Sequence, residues 1–502
     1  MSQHYDVIVI GGGSGGGVAA ARLSEDESRT VLLLEAGPDF PREAEMLPLF
    51  AVSSEHTWQV SGVPEFDWGI FDRDRAGRRG GRPIRLPRGR MVGGSSMVNS
   101  TIAVRPAAAD LDRWAKLGNA GWDYQSMLPI FRRLETDRDF GESNLHGGSG
   151  PIVVNRYRRD SWAPVNRAFA DACVDAGLRW SDDLNNPDSD AGAVGAMPHN
   201  RFKEAKQGTL NTYLRAARGR GNLTIMGGAL VDRIAISGGR ATGIRWISEG
   251  SAVEATADTI VLAAGVYNTP AVLMRSGIGV PADLRRLGVA VNADLPVGQN
   301  LTDHPGCAFF YTADSGNALT GRLFATMLRD ELRDGGEPWW QLHPFPVDEE
   351  EGVSGFFAFL CRQQPSGTVT LADTDPRSLP VVDHDYLADP QDLVRYRDAF
   401  EMIRRLIDQP AYRAINAKLR HDGRDFEAYV KSMLASAHHQ NGTCRMSPDA
   451  AEGVVGPDLK MHGIDGLYLA DSSVFPDNIT HNPNLACYAI GERVADIVAA
   501  LR

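Results

Sequence analysis

The sequence predicts an α/β fold, α+β overall, in which a parallel sheet forms around a strand–turn–helix–strand unit at the start of the chain. An apolar run at 5–10 ends at a glycine cluster, 11–17, which leads into a segment of small residues with helical character. A second apolar run, 31–34, then ends in an acid, Glu35. Strands that alternate with helices in this way are typical of parallel sheets.

The glycine cluster fits the pattern Gly-x-Gly-x-x-Gly at Gly11, Gly13 and Gly16. Gly11 permits the sharp turn after the strand, Gly13 lets a pyrophosphate approach the backbone, and Gly16 lets the helix pack closely on the sheet. Glu35 is placed to accept hydrogen bonds from ribose hydroxyls. The alternative is a glycine-rich turn that binds nothing, but the complete unit favours a dinucleotide site. It does not separate FAD from NAD.

Composition and charge exclude several classes of function. With 52 Lys and Arg against 64 Asp and Glu, the net charge of −12 argues against nucleic acid or an anionic membrane as the main partner. No apolar run reaches the length of a membrane-spanning helix, so we expect no membrane span. The cysteines are scattered without a Cys-x-x-Cys pattern, which predicts reduced thiols in a cytoplasmic protein and no metal site.

A second small-residue segment, 89–99, lies within a long irregular stretch. Its consecutive small residues allow the backbone to wrap a flat ligand, and its serines and Asn99 can donate hydrogen bonds; a simple polar loop is the alternative. Further along, the sequence predicts a β-meander of four segments, a buried strand, a charged helix, an amphipathic helix, a strand and a last helix. They lie at 223–256, 259–265, 323–333, 392–407, 467–471 and 485–501.

These segments occur together in one known family. The sequence resembles the glucose–methanol–choline (GMC) oxidoreductases, which are FAD-dependent enzymes that oxidise alcohols. The resemblance lies in the stretches 11–35, 89–106, 265–279 and 439–493 and in the run 297–304. One departure is Val266, where the family usually has a small residue, and a minor local effect is expected there.

The resemblance implies FAD and a two-domain chain. A Rossmann-like FAD-binding domain would be assembled from 1–155, 200–305 and 435–502, and a substrate domain, with an antiparallel sheet and helices, from 156–199 and 306–434. Some relatives attach FAD covalently through a histidine just before the asparagine of the second small-residue segment. Here that position is Val98, so non-covalent FAD is expected.

The motifs and the resemblance together predict the residues around FAD. Asp471 is expected to place backbone N–H groups by the phosphates or the ribityl chain, and Val231 to offer its backbone to the adenine. The predicted set is Gly11, Gly13, Ser14, Gly16, Glu35, Ala36, Arg90, Val92, Gly93, Gly94, Ser95, Asn99, Val231, Ala264, Gly265, Asp471, Ser472, Asn482, Pro483 and Asn484.

Alcohol oxidation requires a base for the hydroxyl proton and an acceptor for the hydride. The family pattern assigns the base to His439 and its partner to Asn482, and these two with His438 are expected to contact the substrate. Asn482 is also predicted to cap the last helix, with Pro483 in its first turn. His438 lines the pocket or packs on the flavin, whereas His304 is expected to fix a turn.

The predicted function is therefore oxidation of a primary alcohol to the aldehyde by hydride transfer to FAD, with His439 as base. The electron acceptor is oxygen, a quinone or another carrier. An FAD-containing lyase of the same fold, resembling hydroxynitrile lyases and without net redox chemistry, is the alternative. A flavin-fold binding or sensory protein is a third hypothesis, which the His439–Asn482 pair disfavours. Aromatic residues of the predicted substrate domain fit an apolar or aromatic substrate or, as the favoured interpretation, the core of a sheet. They are Phe309, Phe310, Trp339, Trp340, Phe356, Phe357 and Phe359.

Overall fold

The computed structural model describes residues 3–42, 63–203, 205–314, 322, 324–331, 338–348, 352–363 and 367–501. Two large sheets and two small ones organise this part of the chain. Within it, no helix is both long enough and apolar enough to cross a membrane.

The first large sheet has seven strands and contains the predicted parallel unit. Residues Ile10, Leu34, Leu262 and Leu469 end four strands that pair in parallel and in register, so the carboxyl ends of these strands meet at one edge. Gly11, Glu35 and Ala263 follow directly and are therefore neighbours. The strands, in spatial order, are Leu223–Met226, Val31–Leu34, Gln3–Ile10, Ser251–Leu262, Arg240–Ser248 and Leu230–Ser237, and Leu467–Leu469 pairs with Ser251–Leu262.

The predicted meander is corrected in two respects. Its first segment, Leu223–Met226, leaves the meander and pairs in parallel with Val31–Leu34. Its fourth segment and the following buried strand are one continuous strand, Ser251–Leu262. The first four residues of this strand are exposed, the next four alternate between buried and exposed, and the last four are buried. That change of pattern made one strand resemble two, since a strand buried on both faces loses its alternation.

Helices pack on this sheet through glycines. A Cβ atom on Gly491 would lie 2.5 Å from the carbonyl oxygen of Gly15, so the last helix and the first approach to backbone contact. Both helices begin beside the carboxyl edge of the sheet, where Ser14 Oγ donates to Asn484 Oδ1 at 3.0 Å. The helices in this part of the chain are Ser14–Leu23, Ala108–Lys116, Tyr124–Leu134, Arg215–Ala217, Asn268–Arg275, Pro281–Arg286 and Asn484–Ala499, with a π-helical turn at Leu210–Leu214.

The second large sheet has eight strands and is mostly antiparallel. Trp340, Leu342, Phe356 and Ala358 pack against helices on one face of this sheet. The intervening residues of these two strands point to the other face, and most of them are buried as well. Its strands are Lys418–Leu419, Pro305–Thr312, Val353–Leu360, Trp340–Asp348, Thr326–Arg329, Ala193–Ala196 and Arg179–Ser181, and Leu434–Ser436 pairs with Pro305–Thr312. The helices are Pro164–Asp175, Gln391–Ile407, Pro410–Arg413 and Phe426–Met433.

The charged helix predicted at 323–333 is wrong for the described residues, because Thr326–Arg329 is a strand. This strand pairs with neighbours on both sides, and all four of its residues are buried. Sheet pairing therefore overrides a sequence whose charges indicated an exposed helix. The amphipathic helix is confirmed as Gln391–Ile407.

Two small sheets and four 3₁₀ turns complete the described structure. One small sheet contains Ala205–Lys206, Pro198–Phe202, Ile152–Arg156 and Glu135–Asp137, and the other contains Thr368–Thr370, Val381–Asp383, Ile70–Asp72 and Ile84–Leu86. The 3₁₀ turns are Gly94–Met97, Arg159–Ser161, Pro187–Ser189 and Ser472–Val474. The proposed domain boundaries stay a prediction.

Candidate active site

Residues of both large sheets line one cavity of about 630 Å³. The lining includes the candidate base His439 and its partner Asn482, together with His438. Of the residues predicted around FAD, Gly16, Arg90, Val92 and Gly93 do not line it. The others do: Gly11, Gly13, Ser14, Glu35, Ala36, Gly94, Ser95, Asn99, Val231, Ala264, Gly265, Asp471, Ser472, Asn482, Pro483 and Asn484.

The three glycines of the first motif differ in what surrounds them. Gly11 has a φ of +97°, and a Cβ there would lie 2.3 Å from the carbonyl oxygen of Ala263. A Cβ on Gly16 would lie 2.0 Å from the carbonyl oxygen of Gly11, so this glycine serves close packing. A Cβ on Gly13 would meet only the Cα of Gly94, at 4.0 Å. Gly13 therefore keeps open a space next to the first helix, where a phosphate group would lie.

Glu35 lies in the same half of the cavity and is held by the backbone. Its Oε2 accepts from the N–H of Gly12 at 3.0 Å and its Oε1 from the N–H of Gly37 at 2.9 Å. Burial raises its pKa to about 7, although these N–H groups act in the opposite direction. Each carboxylate oxygen has a second lone pair, so Glu35 can still accept from ribose hydroxyls.

An unpaired polar atom indicates that this half of the cavity fits a phosphate-bearing cofactor. Asn484 belongs to the described lining, and its buried Nδ2 has no hydrogen-bond partner. Two helices of ten and sixteen residues start here, and helix N-termini attract phosphate. Val98 lines the cavity and offers no nucleophile for a covalent bond. The residues present therefore fit FAD.

Asp471 acts through a hydrogen-bond network. Its carboxylate accepts from the N–H of Gly265 at 2.9 Å, from the hydroxyl of Thr269 at 2.6 Å and from the N–H of Ser473 at 2.8 Å. The side chain thus ties together two segments that line the cavity.

His439 and Asn482 converge from distant parts of the chain. The amide Nδ2 of Asn482 lies 2.9 Å from Nε2 of His439, and both side chains are buried. The predicted capping role of Asn482 is wrong, because the last helix begins at Asn484 with Pro483 as its cap residue. Asn482 precedes this cap residue, and its side chain contacts His439. His481 contacts the carbonyl oxygen of Arg105 at 3.0 Å.

His304 contacts the other side of the His439 ring, a role beyond the turn expected for it. The two Nδ1 atoms are 2.8 Å apart, and Nε2 of His304 lies 2.6 Å from the carbonyl oxygen of Ile479. Burial lowers the pKa of His304. Burial also lowers the pKa of His439 well below its usual value, and the positive charge of Arg88 acts in the same direction. Both rings are therefore neutral at physiological pH.

Asp303 is the buried centre that fixes the backbone of His439. Its Oδ1 accepts from the His439 N–H at 2.9 Å, and its Oδ2 accepts from the hydroxyls of Tyr386 and Ser436 and from Gln440 Nε2. Burial raises the pKa of Asp303, but His384 and the hydroxyl donors outweigh it, so the pKa stays below its ordinary value. The carboxylate is therefore charged, and the network holds the ring of His439 in place. Sequence analysis missed it, although Asp303 lies in the matched run 297–304.

His438 lines the cavity and is exposed to it. Its backbone has a φ of +67°, which is uncommon for a residue with a side chain. The N–H of His438 donates to Ser436 Oγ at 2.8 Å, and its carbonyl oxygen accepts from Arg88 Nη2 at 2.7 Å. These bonds hold the strained backbone that separates His438 from His439.

The face of the antiparallel sheet that points away from its helices contributes an aromatic wall. Phe359 stands edge-on to His439, with ring centroids 5.6 Å apart, and it stacks on His304 and on His343. Phe345 and Phe357 also line the cavity. Of the aromatic residues singled out in the sequence, only Phe357 and Phe359 line this cavity, whereas Phe309, Trp340 and Phe356 belong to the core.

A buried ionic cluster lies outside the cavity lining. Glu135, Asp137 and His146 bring possible metal ligands within 4.8 Å of one another. However, Arg105 donates to Glu135 and Arg156 donates to Asp137, which neutralises the carboxylates. Burial would lower the pKa of His146, but its hydrogen bonds to three carboxylates raise it to about 10. A protonated imidazole has no lone pair for a metal, so the arrangement is an ion-pair network.

Comparisons with known proteins agree with this geometry. The family model described as GMC oxidoreductase matches residues 5–306 with its N-terminal part and 363–491 with its C-terminal part. The oxygen-dependent choline dehydrogenase of Klebsiella pneumoniae is 33% identical over 540 residues, covering 98% of this chain and 96% of that enzyme. The corresponding enzyme of Yersinia pseudotuberculosis is also 33% identical, over 541 residues, covering 98% and 93%.

Solved structures share the fold. Pyridoxine 4-oxidase, described as from Mesorbium loti, superposes with a TM-score of 0.90 at 27% identity and covers 98% of both chains. A fungal aryl-alcohol oxidase superposes with a TM-score of 0.86 over 100% of both chains, and at 22% identity this likeness concerns the fold alone. The chain therefore belongs to the GMC oxidoreductase family, as an FAD-dependent oxidoreductase that acts on alcohols.

Proposed function

We propose that the protein oxidises a primary alcohol to the aldehyde, with His439 as the base and Asn482 as its partner. The observation that carries this proposal is the hydrogen-bond chain from Ile479 through His304 to His439, because it determines which nitrogen of His439 is free. When bound, FAD supplies the acceptor for the hydride.

The hydrogen-bond partners indicate, one after the other, which ring nitrogens of His304 and His439 carry a hydrogen. A carbonyl oxygen only accepts hydrogen bonds, so Nε2 of His304 must carry the hydrogen that faces Ile479. Because His304 is neutral, its Nδ1 carries no hydrogen and accepts. The Nδ1 of His439, 2.8 Å away, must then be the donor. It follows that Nε2 of His439 carries no hydrogen, so its lone pair can accept one.

The contact with Asn482 agrees with this tautomer. An amide NH₂ only donates, and Asn482 Nδ2 lies 2.9 Å from His439 Nε2. We expect the substrate hydroxyl to insert between these groups. Its proton would pass to His439 Nε2 while its oxygen accepts from Asn482 Nδ2, which stabilises negative charge that develops on the oxygen.

We also propose a candidate substrate, the mode of flavin attachment, the location and the electron acceptor. The likeness to choline dehydrogenases makes choline one candidate substrate. Val98 in the cavity wall supports non-covalent FAD, which acid precipitation would test by releasing the flavin into the supernatant. The five cysteines, all free of disulfides, support a cytoplasmic location. The electron acceptor is proposed to be oxygen, a quinone or another carrier.

Anaerobic mixing of the FAD-loaded enzyme with a panel of primary alcohols tests the function. We expect the visible absorbance of the flavin to bleach with at least one alcohol and the matching aldehyde to form in equal amount. Readmission of oxygen with detection of hydrogen peroxide would identify an oxidase. Turnover of a cyanohydrin without any bleaching would instead support the lyase.

A further inference from the structure

We propose that the substrate is an uncharged aromatic alcohol whose ring carries a polar group, and that His343 selects it by a hydrogen bond. This inference rests on the proposed function and adds the substrate class to it.

The position of His343 places it in the substrate half of the cavity. It lies on the strand Trp340–Asp348, next to Phe345 in the lining. Its ring stacks on Phe359 with centroids 4.9 Å apart, and Phe359 in turn contacts His439. One phenylalanine therefore separates His343 from the candidate base, and a ring-sized substrate would reach both.

His343 has an unfilled hydrogen-bonding capacity. The side chain is 5% exposed, and its Nε2 is buried with no partner in the part of the chain that the structure describes. An unpaired buried polar atom is costly, so a ligand or a water molecule is expected to satisfy it. Burial, and then Arg329, lower the pKa of His343 to about 3. The ring is thus neutral, with one donor and one acceptor.

The walls around His343 favour a flat, apolar molecule. Phe345, Phe357 and Phe359 line the cavity here, with Phe357 opposite His343 on the neighbouring strand, and aromatic rings pack well against such surfaces. An aliphatic alcohol would leave much of this aromatic area uncovered.

The charges disfavour a cationic alcohol such as choline. Glu35 and Asp471 are the carboxylates of the described lining, and both are engaged with backbone N–H groups in the cofactor half. Near His439 the charged side chain of the lining is Arg88, which donates to the carbonyl oxygen of His438. The phenylalanine rings would attract a quaternary ammonium weakly, but among these residues it would meet the like charge of Arg88 and no carboxylate.

The test compares the second-order rate constant for anaerobic flavin bleaching with three probes: benzyl alcohol, hydroxy-substituted benzyl alcohols and choline. We expect the best hydroxybenzyl alcohol to exceed benzyl alcohol about tenfold, since benzyl alcohol would leave the buried Nε2 of His343 without a partner. Choline should react on the order of 100-fold more slowly than benzyl alcohol, because its positive charge would be buried without a counter-charge.

His343→Phe preserves the aromatic wall and removes the hydrogen bond, so the preference for the hydroxyl should fall to about twofold or less. His4→Phe, at the exposed start of the strand Gln3–Ile10 in the other sheet and outside the cavity lining, should keep the preference of the wild type. The Kd values of hydroxybenzaldehyde and benzaldehyde, measured through changes in the flavin absorption spectrum, give the same comparison without turnover. If His343→Phe loses FAD, His343→Leu replaces it.

Two results would overturn the inference alone: bleaching by choline faster than by any aromatic alcohol, or an unchanged hydroxyl preference in the His343 variants. Absence of bleaching with every alcohol would overturn the proposed function as well.

Discussion

The hydrogen bond between His304 and His439 allows a quantitative prediction. Replacing His304 by Leu removes the acceptor for the Nδ1–H of His439, a bond in which the two nitrogens are 2.8 Å apart and both side chains are buried. Leaving this donor unpaired costs about 1–3 kcal/mol. The ring can avoid the cost only by moving its hydrogen to Nε2, where it blocks the lone pair needed for the alcohol proton.

Either outcome raises the barrier to alcohol oxidation by a similar amount. We expect the rate constant for flavin reduction to fall roughly 5- to 150-fold in His304→Leu. This range follows from the cost of about 1–3 kcal/mol, because about 1.36 kcal/mol in the barrier changes a rate tenfold. The assay is anaerobic stopped-flow reduction at saturating alcohol. Because His304 positions another residue and is not expected to touch the substrate, the apparent Kd for the alcohol should change little.

His304→Asn is the matched control. Its Oδ1 can occupy the place of the imidazole Nδ1 and accept from His439, so it should recover most of the rate even though the bond to Ile479 is lost. A His304→Leu enzyme that retains FAD and reduces it within twofold of the wild-type rate would refute the tautomer argument. So would a His304→Asn enzyme as slow as His304→Leu.

Three further predictions follow from the glycine motif, the lowered pKa of His439 and the ionic cluster. Gly13→Ala should fold but bind FAD at least tenfold more weakly, because its Cβ would enter the space for the phosphate. The control Gly219→Ala, which has open space around it, should bind FAD normally. Equal flavin content in the two variants would contradict this prediction. The kcat/KM for the alcohol should not change between about pH 6.5 and 8, because the lowered pKa keeps His439 deprotonated in this range. A loss of kcat/KM on acidification with its midpoint at or above pH 7 would contradict this prediction. His146→Gln should destabilise the fold by about 3–5 kcal/mol at pH 6. Since the folded-state pKa of about 10 exceeds the unfolded value near 6.5, the stabilisation is complete below pH 6.5 and is lost as the pH rises towards 10. The thermal midpoint of the variant should therefore approach that of the wild type at pH 10, and an equal difference at both pH values would contradict the charged state of His146.

Local features of the site were predictable from the sequence. The turn at Gly11, the packing at Gly16 and the acid Glu35 follow from one continuous segment, whose spacing determines its geometry. The pairing of His439 with Asn482 required the family resemblance, since 43 residues separate them and no periodicity connects the two segments.

Features that depend on pairing between distant segments were not predictable. His304 and His439 are 135 residues apart, and only the folded chain shows that their rings meet. The strand Thr326–Arg329 looked like an exposed helix because its arginine is charged, yet Arg329 is buried in the sheet. Which aromatic residues face the cavity follows from strand register, which places Phe357 and Phe359 on one face and Phe356 on the other.

The most direct measurement of the central claim is the anaerobic rate of flavin reduction in His439→Ala. If Nε2 of His439 takes the alcohol proton, this rate should fall roughly 10²–10⁴-fold while FAD stays bound. His462→Ala, a histidine that bonds Ser447 outside the cavity lining, should reduce FAD at the wild-type rate. A His439→Ala enzyme with full FAD content that reduces it within fivefold of the wild-type rate would contradict the account.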